Sequence, residues 1–150
     1  MASLLALTGT QPRRNLAAGD VLIAAGDEGG ELYVLESGRL TVTRGGVDLA
    51  TIDEPGALVG EMAVLLGSEH SATVRAESAA TVRVIEDAMA FLERTPLVAL
   101  HVATLACARL EATSALVVEL EREARGEGGE QGFLGRIAAA LGATPAPTRR

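Results

Sequence analysis

From Leu16 to about Glu86 the chain alternates short apolar runs with glycine-centred breaks. The runs are Val21–Ile23, Leu32–Leu35, Arg39–Thr43, Val47–Ile52, Ala72–Arg75 and Thr81–Ile85. Turn signals separate them at Gly26-Asp27, Ser37-Gly38, Gly45-Gly46, Pro55-Gly56 and Gly67-Ser68. Within Leu40-Thr41-Val42-Thr43, apolar and polar side chains swap at every residue, the period of a strand with one buried face. Many short strands at regular spacing predict an all-β sandwich or barrel. After Ile85 the period turns helical. Asp87 predicts an N-cap for a short helix bearing Ala88, Phe91 and Leu92, and Thr95-Pro96 ends it and starts another.

From Leu97 to about Arg125 neither glycine nor proline intervenes, so a helix roughly 45 Å long is expected. One apolar stripe reads Leu100, Ala103, Cys107, Leu110, Ser114, Val117, with the alternating three-and-four spacing of a coiled-coil seam. A second reads Val98, Val102, Leu105, Ala112, Leu116. A helix apolar on two faces needs two covers. The β region supplies one, and a second copy of the helix is the natural other, which predicts a two-fold homodimer through residues 97–125. At the N-terminus, Ser3 to Leu7 predicts a turn or two of helix with Leu4, Leu5 and Leu7 inward. The pair Arg13-Arg14 after Pro12 reads as a solvated loop. Beyond Glu121, EREARGEGGEQG reads as a flexible linker, and FLGRIAAALGATPAPTRR offers one short apolar helix and a basic end. The expected division is therefore a domain over 1–125, with strands about 16–86 and helices about 87–125, and a linker and tail over 126–150.

Composition narrows the function. A length of 150 residues suits one domain with a real core, and with only 2% aromatic residues that core must be Leu, Val, Ile and Ala. The net charge of −7 opposes non-specific contact with nucleic acid. No apolar run approaches bilayer length, and the N-terminus lacks the basic start of a signal peptide, so no membrane is expected. A single cysteine, Cys107, permits no internal disulfide and suits a reducing cytoplasm. The two histidines, His70 and His101, stand far apart, unlike the clustered ligands of metal-holding β-barrel enzymes such as cupins. Cys107 has no basic neighbour at helical spacing. Neither a metal nor a catalytic residue is expected, and the chain is not expected to be an enzyme.

The remaining chemistry lies in Gly60 to Ala76, GEMAVLLGSEHSATVRA. Gly60 opens a short apolar helical segment (Met62 to Leu66), which turns at Gly67-Ser68 and leaves as an alternating strand through Ser71, Thr73 and Arg75. A glycine at a helix start lets a ligand approach backbone N–H groups, and the helix terminus suits a phosphate. Glu61 would repel that phosphate and fits instead as an acceptor for hydroxyls, such as those of a sugar. This stretch resembles the phosphate-binding cassette of the cyclic nucleotide-binding domain family, whose pattern is Gly-Glu-x-Ala-(apolar), a short gap, then Arg-(Ser/Ala)-Ala-(Thr/Ser)-Val. Gly60, Glu61 and Ala63 match its first part, and Ser71, Ala72, Thr73 and Val74 its second. The order AAGDVLIAAGDEGGELYVLESGRLTV resembles the opening of the family's β-roll, with Gly19, Gly26 and Gly38 at corners where a Cβ would clash.

The resemblance implies a mainly-β, jelly-roll-like β-roll with flanking helices and a long C-terminal dimerisation helix. It implies a cyclic nucleotide ligand at Gly60, Glu61, Met62, Ala63, position 70, Ser71, Ala72 and Thr73. A second match, Ala108-Arg109-Leu110-Glu111-Ala112-Thr113-Ser114, resembles the dimer-helix segment whose Thr-Ser pair contacts adenine. It favours cAMP over cGMP through Thr113 and Ser114, although both hydroxyls also suit bonds to their own helical turn. In transcription factors of the family a helix-turn-helix domain of about seventy residues follows. Here too little chain remains to place a helix in the major groove, so an effector protein, not DNA, is the expected partner.

One position departs from the pattern: His70 stands where the family carries its phosphate-binding arginine. Arginine presents a permanently charged fork, whereas histidine gives one donor in that direction and changes charge near neutral pH. Three readings stay open. His70 still contacts the cyclic phosphate, more weakly and better at low pH; or the pocket is degenerate and the fold is a dimerisation or docking module; or the pocket takes another anionic nucleotide.

Overall fold

The computed structural model describes residues 3–126. The linker and tail expected beyond that point, including the apolar segment FLGRIAAAL, lie outside the described residues. The chain separates into two compact units, Met1–Ala103 and Thr104–Arg150.

In the first unit, eight strands among the described residues form two antiparallel sheets. One has the order β1 (Arg13–Leu16), β8 (Ala80–Ile85), β3 (Leu32–Ser37), β6 (Leu58–Val59); the other β2 (Val21–Ile23), β7 (Thr73–Ala76), β4 (Leu40–Arg44), β5 (Val47–Ile52). The helices among the described residues are α1 (Leu4–Leu7), α2 (Glu61–Leu66), α3 (Ala88–Arg94) and α4 (Pro96–Ala124), the last running on into the second unit. This is the β-roll with flanking helices that the sequence predicts.

The core lies between the sheets, and the central strands β3 and β8 each bury four residues in a row. Leu22, Ile23, Tyr33, Leu35, Leu40, Val59, Val74, Val82 and Val84 meet between the sheets, with Ala76 and Ala80 filling the narrow places. These residues are almost entirely aliphatic, so the core is held by close packing of branched side chains. Two strands escaped the sequence pattern. The Arg13-Arg14 stretch is strand, not loop: β1 pairs along β8 from Arg13↔Arg83 to Leu16↔Ala80. Its burial pattern leaves only Leu16 inside, so no alternation betrays it.

The three corner glycines share a positive φ, and one adds a steric cause. At Gly38 a Cβ would lie 2.4 Å from the Ala79 carbonyl oxygen, the expected clash. At Gly19 and Gly26 a Cβ would meet nothing within 4 Å; there the requirement is a positive φ, +94° and +92°.

Arg83, 8% exposed, ties the N-terminus to the sheet. Its guanidinium donates to the Leu5 carbonyl, to Thr8 Oγ1 at 3.4 Å and to Glu36 Oε2 at 3.3 Å. Of the α1 leucines expected to face inward, Leu4 is fully buried and Leu5 and Leu7 are half-buried. Arg13 also donates to Glu36, at 2.7 Å, and that hydrogen bond is the chief reason the Glu36 carboxyl sits below its ordinary range. A lowered carboxyl stabilises the fold above its ordinary value of 4.5, and that share is lost as pH falls through the lowered value.

Asp87 caps α3 as predicted, its Oδ1 accepting from Ala90 N at 3.3 Å. In the first unit, Val98 and Val102 of α4 are buried, the only members of the second stripe that are. Leu100, Leu110, Leu116, Val117, Val118 and Leu120 are exposed. The helix also corrects an expectation: an 18-residue window within it has a mean hydropathy of 1.2, so by length and composition α4 is able to cross a membrane.

Candidate functional site

Strand β6 runs to the edge of its sheet and ends directly in Gly60, which caps α2 with φ +93° and no side-chain hydrogen bond. The position disfavours any larger residue, through its left-handed backbone and one tight contact. A Cβ there would stand 3.1 Å from the Glu31 carbonyl oxygen, 3.5 Å from His70 Cε1 and 3.6 Å from Ile23 Cδ1. The helix buries Ala63 and Val64, and turns Met62, Leu65 and Leu66 outward. Glu61, in its first turn, is also buried, at 5% exposure. An acidic residue there complements the positive end of the helix dipole. Gly67, at φ +60°, closes the helix with its N–H on the Ala63 carbonyl.

The return segment is pinned by its backbone. His70 N donates to the Asp27 carbonyl at 2.8 Å, and Gly26 N donates to the His70 carbonyl at 2.8 Å. Glu28 and Glu69 form an antiparallel bridge beside them. This fixes the His70 backbone, while its ring lies against Gly60. The loop at Gly29-Gly30 then packs on α2 and α3 together. A Cβ on Gly29 would come within 2.5 Å of Ala63 Cβ, and Ala88 N, at the start of α3, donates to the Gly30 carbonyl at 3.3 Å.

Beside His70 opens a cleft of about 260 Å³, lined by Glu28, Gly29, Gly30, Glu31, Tyr33 and Glu86 as well as the imidazole. The Tyr33 hydroxyl donates to Glu31, and Arg14 lies 5.6 Å from the centre of the Tyr33 ring and 3.8 Å from Glu31. Burial above all, then the Glu31 hydrogen bond, pushes the Tyr33 hydroxyl up to about 12. Among the described residues no cation pairs with Glu28 or Glu86.

The expected site residues are thus placed as follows. Gly60 and His70 meet side by side, with Glu61 and Ala63 buried in the same helix. Met62 is exposed, so only its main chain belongs to the helix N-terminus. Ser71 is exposed and Ala72 half-buried. Thr73 begins β7, its Oγ1 accepting from Ala25 N at 3.1 Å. Thr113 and Ser114 belong to the second unit and are exposed; Thr113 Oγ1 donates to the Arg109 carbonyl at 2.9 Å, within its own helix. Glu28, Glu31, Tyr33 and Glu86 line the cleft without having been marked by the sequence. They come from a glycine-rich loop and the two ends of distant strands, which no local pattern joins.

The sequence profile of the cyclic nucleotide-binding domain family matches residues 13–93, more than half of the chain. The chain belongs to this family. Domains of the family are regulatory sensors of cyclic nucleotides rather than enzymes. Among solved structures, this cyclic nucleotide-binding domain resembles the catabolite activator protein of Thermus thermophilus. The two are 28% identical with a TM-score of 0.66, over 94% of this chain and 76% of that one. It is also 28% identical to the N-terminal domain of a transcriptional regulator from Streptomyces coelicolor A3(2), with a TM-score of 0.55 over 72% of this chain and 81% of that one. A third structure, described under a cyclic-GMP-dependent signalling pathway that regulates bacterial phytopathogenesis, shares the fold alone. Its identity is 20% and its TM-score 0.60, over 75% of this chain and 95% of that one.

Proposed function

We propose that this domain is a cytoplasmic cAMP sensor that signals through a protein partner. The observation that carries the reading is the juxtaposition at Gly60: a left-handed glycine opens α2, and the His70 ring stands against it. In this reading the amides at the start of α2 and at Ser71 and Ala72 receive the cyclic phosphate, and His70 adds one charge-assisted hydrogen bond. Glu61 accepts from the ribose hydroxyl, and Thr113 and Ser114 read the adenine. No metal takes part. The exposed stripe Leu100, Leu110, Val117 supports pairing of α4 with a second copy. A bilayer suits this helix less well, because Arg109 and Glu111 fall within its apolar stretch, where each charge costs ~2.5–3.5 kcal/mol at mid-depth.

Calorimetric titration with cAMP at pH 6 and pH 8 tests the reading. A bound anion favours the imidazolium, so affinity rises as pH falls. Absence of binding at high micromolar cAMP at both values leaves the second reading, a degenerate fold kept as a pairing or docking module. The three carboxylates around the cleft favour that alternative, since they oppose an anion at His70.

A further inference from the structure

The loop at residues 28–30 joins two features beside the proposed nucleotide site, one of them a cleft that shares His70 with it. On one side, α2 and α3 touch, and both keep large apolar side chains in solvent. Met62, Leu65 and Leu66 project at helical spacing from α2, and Met89 from α3. Leu66 is 71% exposed and Met62 60%. On the other side lies the cleft, whose walls carry Glu28, Glu31 and Glu86. Arg14 offsets Glu31 at 3.8 Å, but no described cation offsets Glu28 or Glu86. Glu69, bridged to Glu28, and Glu93 of α3 extend the acidic surroundings, and Arg94 is the one basic side chain on these two helices.

We infer that this surface docks an amphipathic helix of a partner protein, apolar along one face and carrying arginine or lysine at its edge. The partner's apolar face covers Met62, Leu65, Leu66 and Met89, and one of its cationic side chains enters the cleft between Glu28 and Glu86. Exposed methionines suit such a surface because an unbranched thioether repacks against varied partners. The cleft supplies direction and register, since a like-charged helix placed there is repelled. Membrane attachment is not favoured: an acidic rim opposes an anionic lipid surface. His70 lines this cleft and also serves the sensor reading, so the peptide is titrated without cyclic nucleotide and the two proposals fail separately.

The test uses the full chain labelled with ¹³C at its methionine methyl groups. The two described methionines, Met62 and Met89, both lie on this surface, and Met62→Leu and Met89→Leu assign them. The probe is an eighteen-residue leucine-striped helical peptide flanked by arginine, compared with the same peptide flanked by glutamate. The arginine-flanked peptide is expected to shift both methyl resonances saturably, the glutamate-flanked one to leave them in place. The double variant Glu28→Gln/Glu86→Gln, which alters two exposed side chains, is expected to weaken binding about fivefold. The inference is overturned by equal binding of the two peptides, by binding that spares both methionines (as at the exposed face of α4), or by an unchanged affinity in the double variant.

Discussion

Replacing Gly60 with alanine separates the two costs that this position carries. The first is conformational: at φ +93° an L-residue loses ~1–2 kcal/mol. The second is steric: the new Cβ sits 3.1 Å from the Glu31 carbonyl oxygen, a contact a neighbour must yield to, and overpacking of this kind adds ~1–3 kcal/mol. Together Gly60→Ala is expected to cost ~2–5 kcal/mol, a large part of the ~5–15 kcal/mol that holds an ordinary domain. Two controls isolate the parts. Gly26→Ala, at φ +92° with nothing within 4 Å of its Cβ, carries only the conformational cost. Gly30→Ala, with no positive φ and open space, is expected between neutral and ~1 kcal/mol stabilising. Urea unfolding followed by far-ultraviolet circular dichroism ranks the three; at a slope of ~2 kcal/mol/M the Gly60 variant shifts its midpoint by ~1–2.5 M. If Gly60→Ala costs no more than Gly26→Ala, then the Glu31 carbonyl does not crowd the start of α2.

Other outcomes follow from the same geometry. His70→Arg is expected to tighten cAMP binding tenfold or more, from the ~1.5–3 kcal/mol of a hydrogen bond to a charged group; an unchanged affinity would show that position 70 does not face the phosphate. Tyr33 is the sole tyrosine, and the chain has no tryptophan, so an absorbance titration reads it alone. The native transition is expected near pH 12 and the urea-unfolded one near 10, and because the folded value is raised, the stability it contributes is whole below pH 10 and lost as pH climbs towards 12. Arg83→Met removes the clamp on Leu5, Thr8 and Glu36 and is expected to cost ~2–3 kcal/mol, with amide exchange quickening first in α1. Leu110→Glu places a charge on a side chain 68% exposed within the described chain; if α4 pairs as proposed, it is expected to leave the β-roll intact and to convert a two-chain mass to a one-chain mass in light scattering.

The strands with one buried face were legible because apolar and polar residues alternate between glycine turns, as in Leu40 to Thr43. β1 was not, since three of its four residues face solvent; β6, of two residues, is too short for any period to appear. Glycine positions were legible as special, but not their cause: all three corners need a positive φ, and Gly38 alone adds a clash. In the candidate site, the cassette stood out as one contiguous stretch. The cleft did not, because its carboxylates converge only once β3, β8 and the loop at 28–30 are assembled. Sequence spacing reports neighbours along an element; it is silent on what folding carries in from elsewhere.

Position 70 is held by its main chain, through paired bonds with Gly26 and Asp27, and not by its side chain. The scaffold is therefore indifferent to which ring or fork grows from that point. If position 70 faces the ligand as proposed, single substitutions there retune preference while the architecture stays untouched.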